Sequence, residues 1–552
     1  MEEIRECLKT EIAKLFDVEI LPEVTVAPEG QGADYATNVA MRLSGMLKAK
    51  GEGVSPREIA ETIAKEVEAS ELGFSVEVAG PGFLNFIARD EYWKTKLAEM
   101  EADFEKNISC DEYSGKTVIC EFSDPNPFKV LHVGHLYTSI VGDAISRLIE
   151  FAGGKVIRAN FGGDVGLHVA KTLYALTAER SAESALTIED IAKAYVKGTQ
   201  LYEDDEAAKA EIVKLNKKIY EIAENNLHDS ELAELYWRGR EISYQYFEDF
   251  YKRVGVKFDK YYPESTVALR GLSEVKAQVG NVYEESNGAV VFPGEKYGLH
   301  TRVFVNAEGL PTYEAKDVGL LFTKWDDYHF DKSIVITGND IIDYMKVVLK
   351  SVSLYAPELV ERTKHITHGN VRLPGNEKMS SRKGNFIKAV EVLDDVEALV
   401  GRSIIAMGAI KYAFLKYKIG GNIEFDAKES VSTTGNSGVY LQYSAVRAKK
   451  ILAGIKAGEA DFSEWELDGN EKKLIAKLAQ YGQILKDALS DFAPHKIANY
   501  LYETAQEFSR FYENVKVAGS EYESERAALV DAYYKTMEHG LGILGIEIPE
   551  EM

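Results

Sequence analysis

Residues 117–166 constrain the architecture more than any other stretch of this 552-residue chain. An apolar run at 117–122 reads as a strand. After the polar loop Asp124-Pro-Asn126-Pro-Phe-Lys129, residues Leu136, Ile140, Ala144, Ile145, Leu148 and Ile149 recur at helical spacing until Gly153-Gly154. A second strand follows at 155–161 and ends on Gly162-Gly163-Asp164-Val165-Gly166. A βαβ crossover in a parallel sheet is the economical reading. Ligands of such units lie beyond the carboxyl ends of the strands, where helix N-termini favour anions. His132, Gly134 and His135 fall at that point. Two histidines three apart at a helix start also serve as caps, so the rest of the chain must decide.

The length allows two to four domains. No apolar run reaches membrane-spanning length, and the charged start Met1-Glu-Glu-Ile-Arg-Glu6 lacks a signal-peptide core. A cytoplasmic protein is the expectation. Cys7, Cys110 and Cys120 are too few and too scattered for a disulfide framework or zinc site and read as reduced, mostly buried thiols. A net charge of −24 excludes nucleic-acid binding by bulk attraction. A polyanion would have to meet local basic patches, for which Arg447, Lys449 and Lys450 are candidates.

In chain order, residues 1–112 read as a mixed α+β domain. Helical runs come first, and then residues 74–78 and the turn Gly80-Pro-Gly82 leading into Phe83-Leu-Asn85-Phe86 read as strands. Asn85 is either a polar strand-edge residue facing water or a base-reading amide beside a stackable Phe83. Residues 113–430 carry the Rossmann-like α/β core, interrupted near 175–262 by a charged helical insertion read as a solvated face. Further strand-like runs lie at 289–292, 302–305 and 333–337. Tyr313 and Asp317, four apart on a helix, could turn a hydroxyl and a carboxylate into one pocket, or could simply open an exposed helix. Residues 376–388 hold Lys378, Met379, Ser380, Ser381, Arg382, Lys383 and Lys388 in a basic loop suited to a polyphosphate. Residues 431–552 read as an all-α bundle whose stripe of Tyr440, Tyr443, Tyr500, Tyr502, Phe508, Phe511 and Tyr512 is either core or a base-stacking surface.

The His132-Val-Gly-His135 loop, followed far downstream by Lys378-Met-Ser-Ser-Arg-Lys-Gly384, resembles the paired HIGH and KMSKS signatures of class I aminoacyl-tRNA synthetases. Within that class the chain closely resembles the arginyl-tRNA synthetases. The agreement also covers Gly80 to Phe86, Glu121 to His135, Tyr313 to Asp317, Tyr440-Leu-Gln-Tyr-Ser-Ala-Val-Arg447 and the carboxyl-terminal Leu544 to Met552.

The resemblance implies ATP-dependent activation of arginine and its transfer to the terminal ribose of tRNA(Arg). It implies His132, Gly134 and His135 at the ATP, with Lys129 adding charge, and Lys378, Met379, Ser380, Ser381, Arg382 and Lys383 closing over the leaving pyrophosphate. It implies Glu121 and Asn126 at the amino and carboxyl end of arginine, and Tyr313 with Asp317 at its guanidinium. Phe83, Asn85, Tyr440, Gln442 and Arg447 would contact tRNA. Mg²⁺ is expected on the ATP, with no protein-held metal, and a monomer is expected. Two departures stand out. Where the family often carries a glutamine, this chain reads Gly338-Asn339-Asp340, which leaves the third arginine contact open with Asp340 as its candidate, and Ser381 stands where KMSKS has its second lysine. Asp164 and His168 could hold the ligand or cap a helix. The alternatives are a small-molecule adenylyltransferase, which leaves the flanking modules unexplained, and a non-catalytic RNA-binding paralogue, which would not need both signatures.

Overall fold

The computed structural model describes all residues except 29–31, 52, 71, 180–184, 373, 375–386 and 456–457. Strands β1 (Thr117–Glu121), β2 (Lys155–Gly162), β3 (Lys260–Pro263), β4 (Lys332–Gly338) and β5 (Thr363–His368) form one sheet in the order 5-4-1-2-3. Every pairing in it is parallel. The order reverses at β1, so the crevice beyond the carboxyl ends of β1 and β4 is the switch point at which such sheets bind ligands. The expected α/β core is present. Two of the expected strand runs, Ala289–Phe292 and Arg302–Val305, instead pair antiparallel in a separate sheet with Glu284–Ser286. β3 (Lys-Tyr-Tyr-Pro) and β5 (Thr-Lys-His-Ile-Thr-His) take their place in the parallel sheet. Both are edge strands, and polar edges mask the apolar run by which a buried parallel strand is recognised.

Helix α1 (Val133–Phe151) joins β1 to β2 and is buried along most of its length through Leu136, Ile140, Ala144, Ile145 and Leu148. It lies so close to the sheet that a Cβ on Gly142 would meet Phe122 Cγ at 2.1 Å. The insertion comprises α2 (Leu167–Glu179), α3 (Ile188–Asp204), α4 (Glu206–Glu224) and α5 (Glu231–Val254). Side-chain caps at Thr187, Asp205 and Ser230 start α3, α4 and α5, and left-handed Gly255 ends α5. These helices are more than a solvated face. Val165, Val169, Leu173, Ile191, Ile212, Ile219 and Tyr236 build a core of their own, and Phe128 from the β1–α1 loop is part of it. Helices α6 (Glu264–Ala277), α7 (Tyr313–Tyr328) and α8 (Ile342–Ser353) complete the layers around the sheet.

The chain divides into two compact units. The unit just described comprises residues 108–447, 482–503 and 537–552. The other comprises 1–107, 448–481 and 504–536, so the carboxyl-terminal helices contribute to both. In this second unit a four-stranded antiparallel sheet runs in the order Thr25–Val26, Tyr35–Thr37, Phe83–Ala88, Phe74–Ala79. Helix Pro56–Glu68, started by a Ser55–Glu58 capping box, packs its Ile59, Ile63 and Val67 inward. From residue 431 onward the described secondary structure is helical, ending with Glu523–Ile543. Cys120 is buried in β1, but Cys7 and Cys110 are only half-buried, short of the expected mostly buried set. Among the described residues no helix is long and apolar enough to cross a membrane.

Candidate active site

At the start of α1 the two histidines cap each other. His132 Nδ1 accepts from Gly134 N at 3.1 Å, and His135 Nδ1 accepts from His132 N at 3.1 Å. The rings stack with centroids 3.8 Å apart. An imidazole that accepts at Nδ1 carries its proton on Nε2 when neutral. Burial, followed by the Lys129 charge, lowers the His132 pKa to about 4. Burial and the neighbouring His132 push His135 well below its ordinary value. Both rings are therefore neutral Nε2–H donors at physiological pH, at the positive end of a long helix. Gly134 is required because a Cβ there would lie 2.8 Å from the His132 ring. Lys129 sits over the Tyr195 ring at 5.0 Å.

The loop leading to these histidines is strained and held on all sides. Ser123, Asp124 and Phe128 take positive φ of 74°, 50° and 66°, conformations that cost non-glycine residues about 1 kcal/mol or more each. Asp124 Oδ1 accepts from Phe161 N at 2.8 Å and Asn126 Oδ1 from Gly163 N at 2.9 Å, stitching the loop to the end of β2. From the insertion, α5 supplies Ser243 Oγ to Phe128 N (2.9 Å) and the Tyr246 hydroxyl to Leu131 N (3.4 Å). Tyr251 OH lies 2.9 Å from Ser123 Oγ and accepts from Asn160 Nδ2 at 3.1 Å. The insertion was assigned no chemistry from sequence, yet it holds the loop that leads to the histidines.

Next to this loop lies a basin of buried carboxylates. Glu121, the last residue of β1, pairs with Lys324 Nζ at 2.6 Å, and that ammonium also reaches Ser333 Oγ at 3.1 Å. Glu264, first in α6, pairs with Lys316 at 2.5 Å. Asp317 accepts from the Tyr344 hydroxyl of α8. Burial, with the nearby Glu121 and Glu264 carboxylates, raises the Asp317 pKa to about 8 although the Tyr344 bond opposes the rise. Burial and Glu121 push Asp124 up as well. Four carboxylates therefore share two ammonium partners, a deficit of positive charge that a guanidinium would fill.

Several expectations change. The hydroxyl that Asp317 receives comes from Tyr344; Tyr313 stands at the start of α7 with 53% of its surface exposed. One oxygen of Glu121 is already committed to Lys324, and the Asn126 carbonyl to Gly163. Asp340 is exposed just past the end of β4, and its charge acts on His132 and His368. Asp164 accepts from Arg240 Nε (2.9 Å) and from Ser265 N and Oγ (2.9 and 2.7 Å), and His168 Nε2 donates to Gly163 O at 2.6 Å. Both are buried and brace the Gly162–Gly166 turn, so neither is a solvated cap.

Lys378, Met379, Ser380, Ser381, Arg382 and Lys383 lie outside the described residues. The chain just beyond them does not: Val133 N donates to Ile387 O (3.0 Å) and Ala389 N to Leu131 O (2.9 Å), on either side of His132. Just before them, His368 Nε2 lies 2.6 Å from Thr138 Oγ1 of α1. Both flanks of the basic segment are thus tied to the helix that begins with the histidines.

Of the residues expected at tRNA, Phe83 is exposed, whereas Asn85 is buried in a middle strand between Ala36 and Glu77, so it is neither a strand-edge nor a water-facing residue. Gln442 is fully buried and donates to Ile404 O (3.1 Å) and Glu547 O (2.8 Å), so it joins segments of the fold and is not available to RNA. Its neighbour Tyr443 is exposed, with the Arg447 guanidinium 4.8 Å over its ring and donating to its hydroxyl. Tyr440 packs edge-on against Tyr502. Tyr500, Phe508 and Phe511 are core, so the aromatic stripe is mainly packing. Sequence reasoning missed Lys324, Lys316, Glu264, Tyr344 and the bracing face of α5. The signal for the lysines was weak, since Lys316 and Lys324 share their side of α7 with Asp317 and Asp327 and only their burial sets them apart.

Comparison with known proteins gives three matches along the chain. Residues 104–404 match the family model of tRNA synthetases class I (R), catalytic domain; residues 441–552 match the DALR anticodon binding domain; residues 2–88 match the arginyl tRNA synthetase N terminal domain. Similar curated proteins include the arginine–tRNA ligase of Bacteroides fragilis strain YCH46, 27% identical over 96% of each chain. That of Clostridium perfringens is 29% identical over 98% of this chain and 97% of its own. Among solved structures, arginyl-tRNA synthetase of Thermus thermophilus shares the fold at TM-score 0.78 and 23% identity, covering 100% of both chains. The Plasmodium falciparum enzyme does so at 0.79 and 20%, covering 100% of this chain and 99% of its own.

Proposed function

The chain belongs to the tRNA synthetases of class I (R), and on that premise we propose how its residues perform the arginine–tRNA ligase reaction. The enzyme activates arginine with ATP and transfers it to tRNA. In the first step the arginine carboxylate attacks the α-phosphorus and pyrophosphate leaves. In the second a hydroxyl of the terminal ribose attacks the activated carbonyl, and AMP leaves. Neither step requires a covalent bond to the protein, so positioning and charge stabilisation must supply the acceleration.

The observation that carries this reading is the pair of opposite charge preferences over adjacent strand ends. The Nε2–H groups of His132 and His135 suit phosphate oxygens, with Lys129 adding charge, while the basin of Glu121, Asp317 and Glu264 suits a guanidinium. Asn126, whose side chain holds Gly163 N, is assigned with Glu121 to the α-amino and carboxylate groups of arginine by resemblance. Lys378, Arg382 and Lys383 are assigned to the departing pyrophosphate by resemblance alone, as are Phe83, Tyr440 and Arg447 to tRNA. Mg²⁺ enters with ATP, which fits a metal that prefers substrate phosphates to a protein cage. Monomeric action in the cytoplasm is part of the same proposal, and sedimentation of the purified protein tests the first half. The function as a whole is tested by charging total tRNA with each amino acid in turn. Arginine alone should be attached, and attachment of another amino acid in its place refutes the assignment.

A further inference from the structure

On the side of α5 next to its bracing face is an open pocket of about 470 Å³, within the range of small-ligand clefts. Its walls are His228, Trp237, Arg240, Glu241, Tyr244 and Glu248. Those on α5 recur every one to four positions along one side of the helix, and His228 from the segment before it adds a further ring. The His228 ring lies parallel to Trp237 with centroids 5.2 Å apart, and the Arg240 guanidinium lies over both Trp237 (5.5 Å) and Tyr244 (5.0 Å). The row is fixed from behind. Trp237 Nε1 donates to Leu227 O at 2.7 Å, Arg240 is tied to Asp164 just past β2, and Tyr261 donates to Glu248.

Resting on the reading that this enzyme charges tRNA, the geometry points to this pocket as a stacking site for a nucleobase in the unpaired 3′ end of the tRNA. Planar aromatic and guanidinium faces bind unstacked bases of any identity. The carboxylates at the rim repel phosphates, so a highly charged free nucleotide is a poor occupant. They can instead accept hydrogen bonds from the exocyclic amines of cytosine or adenine while the sugar–phosphate backbone stays outside. The position fits a strand on its way to the site. The other face of α5 holds Phe128 and Leu131, immediately before His132, and Arg240 joins the pocket to the turn at the carboxyl end of β2. None of these residues lies in the basin or at the histidines, so Trp237 and Tyr244 are positioning residues for the transfer step.

The test uses the full-length enzyme with intact tRNA(Arg), tRNA(Arg) trimmed of its unpaired 3′ nucleotides, and cytidine monophosphate. Intact tRNA should quench a component of tryptophan emission that is missing in Trp237→Phe, and neither trimmed tRNA nor the free nucleotide at equal concentration should do so. Trp237→Ala should lower kcat/KM for tRNA by about 5- to 150-fold, the range for one lost base stack. KM for arginine and ATP should stay unchanged, and Trp237→Phe should restore most of the loss. Equal quenching by trimmed tRNA, saturation by cytidine monophosphate, or a Trp237→Ala enzyme with unaltered kcat/KM for tRNA overturns the proposal. So does a variant in which all three substrates are affected alike. If the wild-type enzyme attaches no arginine, the functional assignment fails instead, and the quenching experiment still reads the pocket by itself.

Discussion

Asp317 makes the proposed arginine site sensitive to pH in a direction that can be worked out. Burial is the first cause of its pKa of about 8, and the Glu121 and Glu264 carboxylates add to it. Below that value the empty enzyme holds a proton on Asp317, while a guanidinium needs the carboxylate. Arginine must therefore expel a proton, and its apparent affinity should fall about tenfold for each pH unit below about 8, which is about 1.4 kcal/mol per unit. At pH 6 the KM for arginine should be about a hundredfold above its value at pH 9. The folded state holds this proton more tightly than the unfolded chain does. The empty protein should accordingly lose stability as pH rises from the ordinary carboxyl range toward 8, and the melting shift given by arginine should grow over the same interval. In Asp317→Asn the pH dependence should vanish, and kcat/KM for arginine at pH 9 should fall by about ten- to a hundredfold through loss of a charge-assisted bond. Steady-state kinetics at saturating ATP and tRNA from pH 6 to 9 reads all of this. A KM for arginine that is flat across that range in the wild-type enzyme, or equally sloped in Asp317→Asn, would refute the reasoning.

The histidines predict the opposite behaviour: with the His132 pKa near 4, KM for ATP should be level from pH 6 to 9. His135→Ala should lower kcat by about a hundredfold or more while tRNA binding by filter assay is retained. Lys324→Met should cost about 3–5 kcal/mol of stability by stranding the Glu121 carboxylate, and adding Glu121→Gln should recover most of the urea midpoint. Gly239→Ala would put a Cβ 2.4 Å from the Phe128 ring, so turnover should drop without any change at a substrate contact, and Phe128→Leu in the same chain should restore part of it. On the carboxyl-terminal helix Tyr443→Ala should raise the KM for tRNA with stability kept, whereas Gln442→Ala should lower the melting temperature.

What the sequence made legible was local chemistry with a strong signal of its own. The β1–α1–β2 unit followed from one apolar run, one helical period and a pair of glycines; its topology put the histidines at the ligand end, and the basic segment far downstream gave them their meaning. The helix face left Asp317 open between a pocket and an exposed helix start, and the family resemblance singled it out. What escaped was set by partners far away in the chain. The partner of Glu121 is 203 residues downstream, that of Glu264 lies on another helix, and Tyr344 supplies the hydroxyl that position alone suggested for Tyr313. Gln442 was expected at RNA because it lies within the Tyr440 to Arg447 motif shared with the family; only packing reveals that position 442 faces inward. Edge strands β3 and β5 were missed for the complementary reason, since their side chains need not be apolar when one side of the strand has no neighbour.

The net charge of −24 stood as the main objection to a protein that handles ATP and RNA, and the site geometry answers it. In the proposed site phosphate is met at the head of α1 by neutral imidazoles whose tautomer is fixed by backbone N–H groups, so binding there would rely on oriented dipoles more than on bulk positive charge. Such donors need no counter-ion and do not compete with a guanidinium for the carboxylates a few residues away. Lys129 adds one positive charge at that end, while the basin keeps the shortage of positive charge that suits the proposed guanidinium. An acidic chain with neutral phosphate donors therefore keeps the two ends of one crevice electrostatically distinct, and the separation should be visible as a KM for arginine that varies with pH beside a KM for ATP that does not.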